Sequence, residues 1–415
     1  MIDINDTIYW HNISLNIDTA DIWSSIREQA SPAGQFYIDI SKRINPGRFV
    51  TRNGEWSLPW KQELLPGYEM PVYNPNYSKS FDQVTNERAI EIKQRITHGE
   101  KFAVMFSGGI DSTVIMAALI KNLTVEELKS ITVCCSVHTM LENPTFFEKF
   151  IHGKFDTIDS RTIKYDDLIE RGFTPITADE GDCIFGTMFG LNMYNNFEVL
   201  IKDFSPDAKA NLRKIKFDVA NPDVHYSRYK DLIIKHFGIT TDPDFGRLFY
   251  EKCVKNVETA SVPINSLHDF FWWLIFNIKY LNCAVRGALY FNDRIDWQVC
   301  MNRIVNWFGH PEYQRWSMAN NNNGQKIRKT QSTYKWAARE YIYDLDKNDW
   351  YKFFKIKLES LYLVVNQQPR LLDLEASKRP NFRAGLTKNY KMLYLQDQET
   401  QDFFKHHLAN YQQDW

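Results

Sequence analysis

The chain has no Cys-x-x-Cys pair among its six cysteines, Cys134, Cys135, Cys183, Cys253, Cys283 and Cys300. Without ligands at that spacing a structural zinc site loses its support, and buried free thiols become the expectation. There is no Gly-x-x-x-x-Gly-Lys-Ser/Thr run, so a Walker-type phosphate loop is excluded. No apolar stretch is long enough to span a bilayer. The richest one, Leu267 to Leu281, carries Asp269, Asn277 and Lys279 and reads as a buried helix. Neither sign of charge is in excess, with 50 basic and 51 acidic residues. That balance argues weakly against an extended nucleic-acid surface, which needs a basic face, and leaves room for a local basic patch. The opening Met1-Ile-Asp-Ile-Asn-Asp lacks a basic segment followed by an apolar one. No signal peptide is therefore expected, and a reducing, cytoplasmic setting is. No internal repeat or long low-complexity tract stands out, and Asn320 to Asn323 reads as a polar loop.

What the chain does have is a strand, a glycine turn and a helix in immediate succession. Residues 102–106 are apolar without a charge, as in a strand covered on both faces. Ser107, Gly108 and Gly109 let the backbone turn sharply and approach a ligand closely. Asp111 and Ser112 then open a helix whose apolar positions recur at Val114, Ile115, Ala118 and Leu119. Free amides at such a helix start, together with the helix dipole, favour an anion. Hydroxyls of Ser107, Ser112 and Thr113 add donors for phosphate oxygens. Asp111 is unsuited to touch phosphate itself and well suited to hold Mg²⁺ that bridges phosphates.

At 415 residues the chain can bury a large core and is expected to form more than one domain. Residues 1–80 are punctuated by prolines and glycines, with Thr19 predicted to cap a short helix through Ile26. From Asp82 the pattern alternates. A helix over Asp82–Thr97, with Val84, Ala89, Ile92 and Ile96 near one face, is stopped by His98-Gly99. Further strands are predicted at Ile131–Val137, Thr157–Asp159 and Phe173–Thr177. Helices are predicted at Pro144–Ile151 and Tyr165–Arg171, the latter ended by Gly172. Such alternation predicts an α/β fold with a doubly wound parallel sheet, whose ligand crevice lies beyond the carboxyl ends of the strands. From about residue 192 helical patterns dominate, with candidates at Leu267–Val285, Asp296–Phe308, Tyr334–Leu345 and Trp350–Val364. This half is expected to be a mainly helical layer closing over the sheet, after a small turn-rich N-terminal region. A second acidic loop, Asp179-Glu180-Gly181-Asp182, follows the strand that ends at Thr177. Its carboxylates invite a divalent cation, and a solvated acidic turn is the plainer alternative.

Ser107-Gly-Gly-Ile-Asp-Ser112 resembles the pyrophosphate-binding loop of the ATP pyrophosphatase, or PP-loop, superfamily, which splits ATP into AMP and pyrophosphate to activate a substrate oxygen. Ile176 to Gly186 is similar to the Ser-Gly-Glu-Gly-x-Asp-Glu-x-Phe-Gly loop of asparagine synthetases and their amide-forming relatives. Asp182, Phe185 and Gly186 fall on that loop's Asp, Phe and Gly, whereas Thr177-Ala178 replaces Ser-Gly and Cys183 replaces the Glu after the Asp. Lys335-Trp-Ala-Ala-Arg339 resembles the family's Lys-x-x-Leu-Arg helix, and Ser377 to Gly385 resembles its late basic loop.

The resemblance implies an adenine nucleotide alpha hydrolase-like sheet, with ATP on Ser107, Gly108, Gly109, Asp111, Ser112 and Thr113. The backbone around Val133 would read the adenine, and Mg²⁺ would sit on Asp111 and Asp182. Lys378 and Lys335 would be the catalytic lysines, with Arg379 and Arg383 as neighbours of the former. Domains follow as 1–80 of unread role, 81–385 synthetase-like, and 386–415 a helical tail. The family's glutaminase half, with its Cys directly after Met1, is not expected, because residue 2 is Ile2. The implied partners are a small-molecule carboxylate, ammonia or an amine, and a separate amidotransferase if glutamine is the nitrogen source. The implied reaction is AMP-forming amide synthesis. Other members of the superfamily modify a nucleobase or tRNA, or aminate as NAD and GMP synthetases do. The thiolating and nitrile-forming enzymes among them want cysteine pairs or clusters that this chain lacks. A non-catalytic module that keeps the fold is a third reading.

Overall fold

A computed structural model of the chain describes residues 28, 52, 67–136, 139, 142–160, 162–186, 201–215, 219–237, 243–290, 292–321, 324–328 and 333–355. The helix expected over Thr19–Ile26, the helical pattern from 356 to Val364, the basic loop with Lys378, Arg379 and Arg383, and the tail 386–415 lie outside these residues.

In chain order the elements are α1 (Phe81–Thr97), β1 (Lys101–Met105), α2 (Ile110–Asn122), α3 (Val125–Leu128), β2 (Ile131–Cys135), α4 (Pro144–Phe146), β3 (Asp156–Asp159), α5 (Tyr165–Glu170) and β4 (Phe173–Thr177). There follow α6 (Gly181–Phe185), α7 (Pro206–Ile215), α8 (Lys230–Phe237), α9 (Pro243–Glu258), α10 (Leu267–Leu274), α11 (Tyr280–Tyr290), α12 (Trp297–Asn302), β5 (Val305–Asn306), α13 (Pro311–Ala319), α14 (Trp336–Asp346) and α15 (Asp349–Phe354). Internal contacts divide the chain into two units. A sheet unit draws on Lys79–Ala178, Phe291–Trp307 and Ala337–Trp415, and a helical unit on Met1–Ser78, Asp179–Tyr290 and Phe308–Trp336.

Among the described residues the sheet unit carries a five-stranded sheet, in the order β3-β2-β1-β4-β5 with every pair parallel. The order reverses between β1 and β4, which is where a parallel sheet opens a crevice at its carboxyl edge. Strand β1 is central. Its residues from Phe102 to Met105 are buried, as expected for a strand covered on both faces. Helix α1 starts on a capping box: Ser80 Oγ accepts from Gln83 N at 3.1 Å, and Gln83 Oε1 accepts from Ser80 N at 2.8 Å. It buries Phe81, Val84, Ala89, Ile92 and Ile96 and stops at His98, before Gly99 with φ +89°.

One element differs from the sequence reading. The stretch Asp296–Phe308 is not one helix. It holds the short α12 and then β5, whose Val305 and Asn306 pair with Ile176 and Thr177 of β4. The cause is tertiary. Two residues are too few to show a period, and an already formed neighbouring strand supplies their hydrogen-bond partners.

Among its described residues the helical unit holds helices and no strand. Helix α10 opens with Ser266 as N-cap and Asp269 completing a capping box. It runs through a π-helical turn, Ile275–Lys279, into α11. Every residue from Leu267 to Leu281 is buried, as the sequence predicted. Three polar side chains on this span are bonded. Trp272 Nε1 donates to Ser317 Oγ at 2.9 Å, Trp273 Nε1 to Asn256 O at 3.1 Å, and Asn277 Nδ2 to Asn256 Oδ1 at 3.1 Å. The π turn offers carbonyls sideways, and the buried Arg52 takes that of Phe276 at 3.2 Å. All six cysteines are free and buried. No helix among the described residues is long and apolar enough to cross a membrane.

Candidate functional site

In the sheet unit the glycine loop leaves the carboxyl end of β1, beside the point where the strand order reverses. Gly108 adopts φ +68°. A Cβ there would stand 2.1 Å from Thr139 O and 2.6 Å from Glu142 Cβ, so both the backbone hand and the space require glycine. The loop is tied internally. Ser112 Oγ accepts from Ser107 N at 3.1 Å and lies 3.0 Å from Ser107 Oγ, which accepts from Gly109 N at 3.3 Å. Ser112 Oγ also donates to Gly109 O at 3.2 Å. Gly109 begins α2 as N-cap without a side-chain cap, so amides of the first turn have no partner inside the helix and point out of it. Asp111 stands in that turn, partly exposed, while Ser112 and Thr113 are buried.

Three residues that the sequence did not single out surround this loop. Tyr351 of α15 donates its hydroxyl to Gly108 O at 3.1 Å and lies 3.2 Å from Thr113 Oγ1. Lys355, just past α15, forms an ion pair with Glu142, and both side chains are almost wholly buried. Glu142 is the residue whose Cβ fills the space a Gly108 side chain would need. A buried ion pair is costly to desolvate. The expected adenine reader, Val133, lies mid-way along β2, buried, opposite Val104 of β1 and Thr157 of β3.

In the helical unit the acidic motif forms the short helix α6. Its pattern has a packing logic. Phe185 meets Trp316 edge-on at 5.3 Å between ring centres. Gly186 ends the helix at φ +76°, and a Cβ there would stand 2.5 Å from Trp272 Cβ. Ser317 Oγ donates to Ile184 O at 2.6 Å. Cys183 faces inward and hydrogen-bonds with Cys283, and burial pushes its thiol well above the usual range. It is therefore no substitute for a carboxylate at the surface. Glu180 is fully buried, and Asp182 keeps partial exposure.

The structure brings two of the sequence candidates together. Lys335 Nζ lies 2.7 Å from Asp182 Oδ1, with the lysine side chain 5 % exposed and the aspartate side chain 20 % exposed. Lys335 precedes α14 with φ +55°, a left-handed conformation unusual for lysine. Its neighbour in the motif, Arg339, is buried and donates to Lys352 O at 2.6 Å, which closes the end of α15. Asp111 belongs to the sheet unit and Asp182 to the helical unit. Among the described residues no group of three or more His, Cys, Asp or Glu is gathered in a way that could hold a metal ion. Mg²⁺ characteristically rests on one or two carboxylates plus phosphate oxygens instead of an all-protein cage. A partly exposed Asp111 in the first turn of α2 fits that donor set. Comparison with protein-family models, curated proteins and solved structures finds no match to this chain.

Proposed function

We propose that this chain is an ATP-dependent ligase of the PP-loop type that forms AMP and pyrophosphate, adenylates a substrate carboxylate and transfers the acyl group to ammonia or an amine. The observation that carries the reading is the Ser107–Thr113 loop. It leaves the central strand of a parallel sheet beside the strand-order reversal, with a left-handed Gly108 locked against Thr139 and Glu142. A finer fold assignment, adenine nucleotide alpha hydrolase-like, belongs to the same proposal.

In this chemistry a carboxylate oxygen attacks the α-phosphorus of ATP. The bond to the β-phosphate oxygen breaks, and pyrophosphate departs into the loop. Amides of Gly109 and the α2 first turn, with the Ser107, Ser112 and Thr113 hydroxyls, receive its charge. Such preorganised donors are worth about 3–4 kcal/mol each where one has been removed. Asp111 would hold Mg²⁺, which would supply positive charge against the leaving group. Lys335 keeps Asp182 in place. The amine then attacks the acyl carbon and AMP leaves. Lys378 is proposed to steady the oxyanion of that step, and Lys355 stands on the loop's inner side through Glu142.

The test is ATP–pyrophosphate exchange by the purified full chain with Mg²⁺ and panels of small carboxylic acids. Acid-dependent exchange is expected. Asp111→Asn is expected to lower it by several orders of magnitude with an unchanged circular dichroism spectrum. ADP as the product would remove the superfamily reading, and pyrophosphate release that depends on tRNA would move the chain to the nucleobase-modifying group.

A further inference from the structure

Two segments of the sheet unit reach the Gly108 loop from outside it, and one ion pair ties them together. The first is the stretch after β2. Thr139 O and Glu142 Cβ fill the space beside Gly108, at 2.1 Å and 2.6 Å from where a Cβ would stand. This stretch is held on both sides. Thr139 Oγ1 accepts from Ser136 N at 2.7 Å and donates to Ser136 O at 2.8 Å. Asn143, next to Glu142, caps α4 by accepting from Phe146 N at 3.3 Å. The Phe146 ring stacks on that of Phe106, the residue before the loop, at 6.3 Å between centres.

The second segment is α15. Asn348 Oδ1 accepts from Tyr351 N at 3.1 Å at its start, and Lys352 O accepts from Arg339 at 2.6 Å near its end. The Tyr351 hydroxyl donates to Gly108 O at 3.1 Å. Lys355 comes four residues later, so one turn of chain presents a hydroxyl to the loop and an ammonium to Glu142. Lys355 Nζ meets Glu142 Oε2, and each side chain is only 2 % exposed.

An ion pair this deep is a weak source of stability, because desolvation offsets its attraction. It does supply a directional joint between the two segments. Gly108 cannot move towards Glu142, where no space is left, and it cannot move away from Tyr351 without losing the bond to its carbonyl. Gly108 O and the Gly109 N–H belong to one planar peptide group. Holding that oxygen therefore sets the direction of the Gly109 amide and of the first turn of α2 behind it.

We propose that Glu142 and Lys355 are positioning residues for pyrophosphate: their ion pair joins α15 to the stretch after β2 around Gly108 and so fixes the amides that receive the anion. The identity of the anion rests on the ligase reading, whereas the fixing of the loop does not.

The test labels the full chain with ¹⁵N-glycine and identifies the Gly109 amide signal by its loss in Gly109→Ala. Sodium pyrophosphate is titrated at constant ionic strength into wild type, Glu142→Gln, Lys355→Met and the double variant. A saturable shift of the Gly109 signal is expected in wild type. Each single variant strands one buried charge and is expected to lower Tm. The double variant strands none and is expected to recover the wild-type Tm. Its Gly109 signal should nevertheless stay displaced, and its affinity for pyrophosphate should remain about tenfold or more below wild type, the usual worth of a hydrogen bond to a charged group. A pair with a structural role alone would recover stability and affinity together. Should the double variant not fold, Glu142→Asp decides, since it keeps the charge and shortens the reach: weaker binding with a displaced Gly109 signal is expected. Wild-type affinity with an unmoved Gly109 signal, in the double variant or in Glu142→Asp, would overturn the positioning role and leave the ligase reading standing. No response of wild type to pyrophosphate would overturn the ligase reading and with it the anion named here.

Discussion

Lys335 and Asp182 share one ion pair but not one environment. The lysine is nearly closed off, and the aspartate keeps contact with water. Removing the lysine leaves a carboxylate that solvent can reach, whereas removing the aspartate takes an ion-pair partner from a buried ammonium. Asp182→Asn is therefore expected to destabilise by about 2–4 kcal/mol and Lys335→Met by about 1 kcal/mol or less. Urea denaturation at pH 7 checks this ordering, and a reversed order would contradict the burial of Lys335. The left-handed backbone at Lys335 adds about 1 kcal/mol of cost that an ordinary surface lysine would not carry. Such outliers cluster where a side chain must be aimed.

Among elements, α15 has the clearest task. It is only six residues long, yet its Tyr351 reaches the loop between β1 and α2. Tyr351→Phe removes the hydroxyl from Gly108 O and Thr113 Oγ1 with the ring volume unchanged. A loss of about 1 kcal/mol in stability is expected. On the ligase reading the KM for ATP should rise several-fold while the helical content is kept, which steady-state exchange kinetics and circular dichroism would measure together. The sequence showed β1, the loop and α2 because a strand buried on both faces writes a continuous apolar run and a tight turn writes glycine. It showed Asp182 and Lys335 as separate marks, and only the fold shows that they touch. Tyr351, Glu142 and Lys355 left no local signal, since each acts on a residue more than 200 positions away. Strand β5 was hidden for the opposite reason: two residues carry no period of their own.

At the scale of the whole molecule, Asp346 and His268 pull the response to pH in opposite directions. Asp346, at the end of α14, has its carboxyl raised to about 6 by burial, although Oδ1 accepts from Asn348 N at 2.9 Å. The folded state thus holds this proton more tightly than the unfolded state, so stability is lost as pH rises between about 4 and 6. Asp346→Asn is expected to raise Tm at pH 7 by removing up to about 3 kcal/mol of penalty. The advantage should fade as pH falls through 6 towards 4. An advantage independent of pH would point to packing instead of ionisation. His268 works the other way. Its imidazole is held down at about 3 by burial, so the fold loses stability as pH falls from about 6.5 through that value.

The strand order has a consequence for how the chain is made. Strand β4 is flanked by β1 on one side and by β5 on the other, and β5 is encoded roughly 130 residues later. At a ribosomal pace of about 5–20 residues per second, β4 emerges on the order of ten seconds before its last neighbour exists. Throughout that interval one rim of the nascent sheet has open amides and carbonyls, the feature that invites stray strands from other chains. Synthesis that stalls or is truncated ahead of Val305 would leave the rim permanently bare, so the yield of native protein should depend on the speed of translation through the intervening helices.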